Sequence, residues 1–224
     1  MSTLLVVGAH ALDAEIMAGA VAAAAADRGW DVLLLHLTRG ERGHPDKPKD
    51  FFAQQLEGEM RQAAEILGVR QEWPGIPAPL PTAEQVQTVI ADVVRRLQPD
   101  AIITHWRGSW HPSHVRAHEA VLLAVGQLSQ PPAVLYAENC EDLTGFQALC
   151  FASIASVYER WLRALRAYEL YRLSEPGVYA GGIPYWAYYT AAARVRGLQS
   201  GLELAQALMP GSGSIPAGLE LRCL

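Results

Sequence analysis

The stretch Val6-Val7-Gly8-Ala9-His10-Ala11-Leu12-Asp13-Ala14-Glu15 decides the reading of this chain. The apolar run Leu4 to Val7 is too short for a helix and is unbroken, as in a parallel strand covered on both faces. It stops at Gly8. Helix-forming residues begin at Ala14 and run to Arg28, where Gly29 ends them. A strand that turns at once into a helix opens a β-α-β unit, and open α/β sheets hold their ligands at the C-terminal edge where such turns lie. His10 and Asp13 stand in this turn, and their spacing of three lets both side chains face one point.

Working outward, strand and helix patterns alternate. Thr3–Gly8 is the first strand and Asp31–Leu37 a second, continuously apolar one. Thr38–Asp50 is a Gly/Pro loop, Phe51–Leu67 a helix stopped by Gly68, and a short strand follows near Val69–Trp73. The proline-rich Pro74–Pro81 cannot hold regular structure. Ala83–Leu97 places Val86, Ile90, Val93, Val94 and Leu97 at helical spacing. Asp100–Thr104 is a strand, His105–Ser113 a loop, Val115–Leu128 a helix and Ala133–Tyr136 a strand. Two long helices, Ser153–Arg172 and Pro184–Met209, are expected after that. The pattern predicts a Rossmann-like three-layer α/β/α sandwich with a mostly parallel sheet and C-terminal helices. It predicts a single domain over residues 1–209, and a C-terminal tail over 210–224 opened by Pro210-Gly-Ser-Gly-Ser-Ile-Pro. The first turn carries one glycine and no GxGxxG, which weighs against a dinucleotide ligand.

Composition bounds the function. A chain of 224 residues can bury a sizeable core, and 50% hydrophobic with 18% charged residues is ordinary for a globular domain. A net charge of −5 argues against a nucleic-acid partner. The first apolar run is too short to span a bilayer and no basic segment precedes it, so neither a signal peptide nor a membrane span is expected. Cys140, Cys150 and Cys223 have no CxxC spacing, and their odd number fits free thiols in a reducing cytoplasm, the expected location.

A second cluster, His111-Pro112-Ser113-His114, follows the strand at Asp100–Thr104. A catalytic zinc site takes three protein ligands of the His/Asp/Glu kind and leaves a position for water. His10, Asp13 and His114 supply that set. Each has an ordinary alternative: Asp13 as the N-cap of the helix at Ala14, His114 as a cap of its own helix. Their joint position at two strand ends makes the metal reading the better one.

These residues carry a family resemblance. Ala9-His10-Ala11-Leu12-Asp13-Ala14-Glu15 is similar to the A/P-H-P-D-D-x-E motif of the PIG-L/LmbE-like zinc-dependent N-deacetylases, and His111-Pro112-Ser113-His114 to their H-P-D-H. Leu37-Thr38-Arg39-Gly40-Glu41 resembles L-T-x-G-E, Glu59 to Val69 resembles E-x-x-x-A-A-x-x-L-G, and Arg194-Val195-Arg196-Gly197 resembles part of the family's C-terminal helix. The resemblance implies Zn²⁺ or another divalent ion on His10, Asp13 and His114. It implies His111 as the catalytic residue that stabilises the oxyanion or protonates the leaving amine. It puts Arg39 and Glu41 on the substrate pocket wall, a reading weighed equally against a solvated turn. The implied ligand is an N-acetylated amino sugar or a similar small amide.

Three acidic positions of the family are absent. Leu12 stands where the general-base Asp belongs, Ser113 where H-P-D-H has its Asp, and Ile76-Pro77-Ala78-Pro79 where an Asp-Gly is usual. A positioned base is worth roughly 10²–10⁴ in rate, whereas bound zinc alone still brings a water pKa down to about 7. The expectation is an N-deacetylase with impaired catalysis and a weakly held metal. The alternative is a non-catalytic family member that serves as a ligand-binding or scaffold protein. A homo-oligomer is left open. Among lesser residues, Glu15 reads as a first-turn acid that complements the helix dipole, His105 as packed rather than ligating, and His36 as structural. His118 reads as a helix-face residue and His44 as solvated. Trp106, Trp110 and Tyr136 either stack on a sugar or simply pack.

Overall fold

The computed structural model describes residues 1–44, 46–178 and 182–224. Its first half follows the expected alternation: β1 (Thr3–Gly8), α1 (Asp13–Asp27), β2 (Asp31–His36), α2 (Lys49–Leu67), β3 (Arg70–Glu72), α3 (Ala83–Leu97), β4 (Ala101–Thr104), α4 (Pro112–Val125) and β5 (Ala133–Ala137). Then come β6 (Cys150–Ser153), α5 (Tyr158–Leu165), α6 (Glu169–Arg172), α7 (Tyr185–Ser200), β7 (Ala205–Ser212) and β8 (Leu221–Cys223). Among the described residues eight strands form one sheet in the order β3-β2-β1-β4-β5-β7-β6-β8. The first five are parallel and the last three antiparallel, so the sheet is mixed.

The two-residue period of β1 divides the core. Leu4 and Val6 join the side chains of α1, α2 and α5 on one face. Leu5 and Val7 join those of α3 and α4 on the other. Helix α1 is nearly all alanine in its second half and is buried almost throughout, because small side chains let it lie close to the sheet. The turn before it is as tight: a Cβ on Gly8 would stand 2.9 Å from the Ala14 amide, so only glycine fits.

The second half departs from expectation. Ser153–Arg172 is not one helix but a strand end, a 3₁₀ turn at Ala155–Val157 and the two short helices α5 and α6. The helix expected over Pro184–Met209 stops at Ser200, and Ala205–Ser212 is a strand between β5 and β6. Leu204-Ala-Gln-Ala-Leu-Met has helical composition, but an open antiparallel edge on both sides satisfies its backbone and overrides propensity. Gln206 then ties this strand to α1, accepting from the Val21 amide and donating to the Ile16 carbonyl. Residues 210–224 therefore hold the end of β7 and all of β8. Strand β8 pairs with β6 so that Cys150 faces Cys223, and the two form a disulfide. The expectation of three free thiols is corrected: only Cys140 is a free cysteine among the described residues. No helix among them is long and apolar enough to cross a membrane.

Candidate metal centre

Strand order 2-1-4-5 reverses direction between β1 and β4, and the crevice at such a switch point is where α/β sheets bind ligands. The His/Asp/Glu cluster of the site hangs from three adjacent strand ends. His10 and Asp13 follow β1, His105 to His114 follow β4, and Glu141 and Asp142 follow β5.

The capping alternatives go to other residues. Leu12 is the N-cap of α1, and His111 is the N-cap of α4, its Nδ1 accepting from the Ser113 amide at 3.3 Å. Asp13 is thereby free to turn back on the loop. Its Oδ2 accepts the His10 amide at 2.8 Å and lies 3.1 Å from His10 Nδ1. The same oxygen stands 3.4 Å from His114 Nε2 and 3.4 Å from His105 Nε2. The donor atoms of Asp13, His105 and His114 lie within 4.8 Å of one another, as do those of His10, His111 and His114. His114 belongs to both groups.

Hydrogen-bond partners sort these histidines. His105 Nε2 accepts the Ala9 amide at 3.1 Å, which requires its proton on Nδ1, where it donates to Asp142 Oδ2 at 2.7 Å. Its lone pair is used, so His105 is a packed support, stacked on His114 with ring centroids 3.9 Å apart. His111 Nδ1 is an acceptor in the same way, so its neutral ring carries the proton on Nε2 and is a donor rather than a ligand. His114 is the reverse case. Its Nδ1 donates to Asp142 Oδ1 at 2.8 Å, while its Nε2 is buried and without a hydrogen-bond partner among the described residues. A histidine that donates one ring N–H to a carboxylate and leaves the other nitrogen bare has the form of a metal ligand.

The electrostatics fit a cation. Burial opposes the charged form of His114, but Asp13 and Asp142 outweigh it and push its pKa up to about 10. Burial also works against the Asp13 carboxylate, yet His114, His10 and His105 hold it well below the usual range. Asp142 is likewise lowered, burial being overcome by His105 and His114. These carboxylates are thus anionic and look for positive charge. His111 is half-buried, and burial with His114 and His10 pushes it down to about 4, so it is neutral at pH 7. Glu141 is buried, lies 3.6 Å from His114 Nε2, and is pushed up to about 7 by burial, with Asp13 and Asp142 adding to the rise and His114 opposing it. His114 Nε2, protonated in the metal-free site and 3.4 Å from an anionic Asp13, is the position where a divalent ion would take the place of a proton.

A cavity of about 430 Å³ opens over this cluster. Its floor includes His10, Asp13, His111 and Glu141; Leu12, Leu56, Leu170 and Ile183 make an apolar side. Arg39 lines it, but its guanidinium is already paired with Glu57 at 2.5 Å and lies over the Trp73 ring. Glu41 is buried outside the lining; its Oε1 accepts the Ala78 amide and so holds the Ala78-Pro79 wall in place. Trp110 stands at the mouth, 67% exposed, whereas Trp106 and Tyr136 pack with His118. His118 Nδ1 donates to the His105 carbonyl, which steadies the end of β4.

Residues 5–125, just over half of the chain, match the family model of PIG-L, GlcNAc-PI de-N-acetylase. The chain belongs to the PIG-L family. It is 34% identical over 159 residues to 1D-myo-inositol 2-acetamido-2-deoxy-alpha-D-glucopyranoside deacetylase of Kineococcus radiotolerans, 54% of this chain but only 44% of that protein. It is 26% identical over 217 residues to 4-oxalmesaconate hydratase of Pseudomonas putida, 88% of this chain and 80% of that one. In fold it resembles the crystal structure of the 4-carboxy-2-hydroxymuconate hydratase GalB of Pseudomonas putida, with a TM-score of 0.79 and 24% identity over 96% of this chain and 98% of that chain.

Within this PIG-L chain the acidity missing from the motifs returns from elsewhere. Ser113 cannot hold a histidine as an aspartate would, but Asp142 holds two, reaching His114 across 28 residues and His105 across 37. Sequence reading passed over Glu141 and Asp142. The signal was available: Glu138-Asn-Cys-Glu-Asp142 puts three acids just past a strand, at the edge where the other candidates lie. Glu15 sits in the first turn of α1, but it is fully buried, with both oxygens 3.0 Å from His36 Nε2 and Oε1 accepting from the Tyr168 hydroxyl. That pairing makes His36 structural. His44 is not solvated: its ring packs edge-on against Phe52, and its Nδ1 accepts the Asp46 and Lys47 amides. Leu12 is buried with φ +79°, a conformation that Asp and Asn adopt far more readily than a bulky apolar residue.

Proposed function

We propose that this chain is a metal-dependent hydrolase of a small-molecule acyl amide, with zinc held by His10, Asp13 and His114. The observation that carries the reading is the buried Nε2 of His114, without a hydrogen-bond partner among the described residues, 3.4 Å from Asp13 Oδ2 and backed by Asp142. A bound zinc would supply a Lewis acid that polarises the amide carbonyl and lowers the pKa of water. His111, neutral and with its proton on Nε2, is the cavity-lining donor for charge developing on the carbonyl oxygen. Arg39, stacked on the Trp73 ring, lines the cavity, and Glu41 braces the Ala78-Pro79 segment of the lining.

Leu12 cannot take a proton, so turnover falls below that of a chain with Asp at this position. Apart from Asp13, Glu141 is the carboxylate on the cavity wall that remains to take one. The test is acetate release from N-acetylglucosamine and its glycosides by zinc-loaded protein. Slow release that disappears in His114→Ala supports the reading; no release from any N-acetyl compound by folded, zinc-loaded protein refutes it.

A second reading, addition of water to an unsaturated acid, is favoured by the hydratase relative, whose match extends over most of both chains. Loss of ultraviolet absorbance of a conjugated enoate, without acetate release from amides, would select it.

A further inference from the structure

Resting on the metal-centre reading above, the cavity says something about its ligand that the motifs do not. Among the described cavity-lining residues two carry a guanidinium, Arg39 and Arg42. Arg39 is spent on Glu57 and Trp73. Arg42 makes no hydrogen bond or ion pair among the described residues, yet lines the same cavity as His10 and Asp13. Its place relative to the cluster is set by the loop between the two arginines. Gly40 has φ +71°, and a Cβ there would come within 3.0 Å of His10 Cβ, so the loop backbone rests directly on the His10 side chain. Leu12, Leu56, Leu170 and Ile183 make an apolar stretch of the lining, beside Trp110 and Tyr185, that can receive a hydrocarbon body.

We propose that Arg42 is an anion subsite, and that the natural ligand is a small acid whose carboxylate lies at Arg42 while its reacting carbonyl or olefin lies over His10, Asp13 and His114. A carboxylate is favoured over a phosphate because the anionic Asp13 on the cavity floor repels a dianion more than a monoanion.

The test uses two hydroxamates of similar length, whose head groups bind a catalytic metal: neutral butyrohydroxamate and the acidic monohydroxamate of succinate. Their dissociation constants are measured by calorimetry on zinc-loaded wild type, Arg42→Gln, Arg42→Lys, Arg39→Gln and His114→Ala. Arg42 is exposed, and a solvent-screened ion pair is worth at most roughly fivefold, so the acid should bind wild type about three- to fivefold more tightly than the neutral compound. Arg42→Gln should bring the two compounds within about twofold by weakening only the acid, and Arg42→Lys should keep part of the preference. An equal affinity for both compounds on wild type overturns the subsite while leaving the metal centre standing. A preference that survives Arg42→Gln, or is lost in Arg39→Gln instead, overturns the assignment to Arg42. If neither compound binds wild type more tightly than His114→Ala, the metal reading fails and the subsite fails with it.

Discussion

Replacing Asp142 by asparagine changes one oxygen to an NH₂ group and should weaken binding of a metal that Asp142 does not itself ligate. In the native site each carboxylate oxygen accepts one imidazole N–H, from His105 at 2.7 Å and His114 at 2.8 Å. An asparagine can accept only one of them. His105 cannot give way, because the Ala9 amide already donates to its Nε2 and holds the proton on Nδ1. The amide oxygen therefore goes to His105, and the NH₂ faces His114 Nδ1. His114 must then accept there and move its proton to Nε2, the nitrogen that faces Asp13. The cost is one hydrogen bond to a charged acceptor, about 1.5–3 kcal/mol, and about 10–100-fold in metal affinity is typical when such support is lost. Competition of zinc-loaded wild type and Asp142→Asn with a chelator of known affinity measures this directly. Far-ultraviolet circular dichroism confirms that the variant is folded. A folded Asp142→Asn that binds zinc within twofold of wild type would refute the tautomer argument, and with it the separation of His105 as support from His114 as ligand.

Four further outcomes follow from the geometry. Leu12→Asp should raise the rate of acetate release from N-acetylglucosamine glycosides by part of the roughly 10²–10⁴ that a positioned base is worth, and the positive φ at this position suits the new residue; an unchanged rate in folded, zinc-loaded protein would mean that Leu12 is not what limits turnover. Metal uptake should release a proton near pH 7–8, because His114 is held protonated up to about 10 and must be neutral to ligate; apparent affinity then rises about tenfold per pH unit in this window, read by calorimetry in buffers of differing ionisation enthalpy, and a pH-independent affinity would contradict it. The same raised pKa stabilises the metal-free fold below about pH 6.5, a contribution lost as pH rises toward 10. Cys150→Ser with Cys223→Ser should lower unfolding stability by about 2–4 kcal/mol in urea titration, since the disulfide closes a 73-residue separation and pins the last strand to the sheet; equal stability of the oxidised wild type and the double variant would contradict this.

Much of the fold was legible in the chain because it is written locally. The unbroken run of β1, the stop at Gly8 and the alanine-rich helix behind it are short-range patterns, and so is the helical spacing of Val86, Ile90, Val93 and Val94. His10 and Asp13 could be placed in one turn for the same reason, their separation being three residues. Other features depend on which strand ends become neighbours. Nothing near His114 announces that Asp142 will meet it, because their encounter needs β4 and β5 side by side in parallel register. Ala205–Ser212 reads as helix until β5 and β6 offer it two antiparallel edges. The pairing of Cys150 with Cys223 waits in turn on β8 finding the free edge of β6. Periodicity and turn chemistry are properties of consecutive residues and survive in the sequence alone. The proton positions on His105 and His114 are properties of partners brought together across the sheet, and only the tertiary structure decides them.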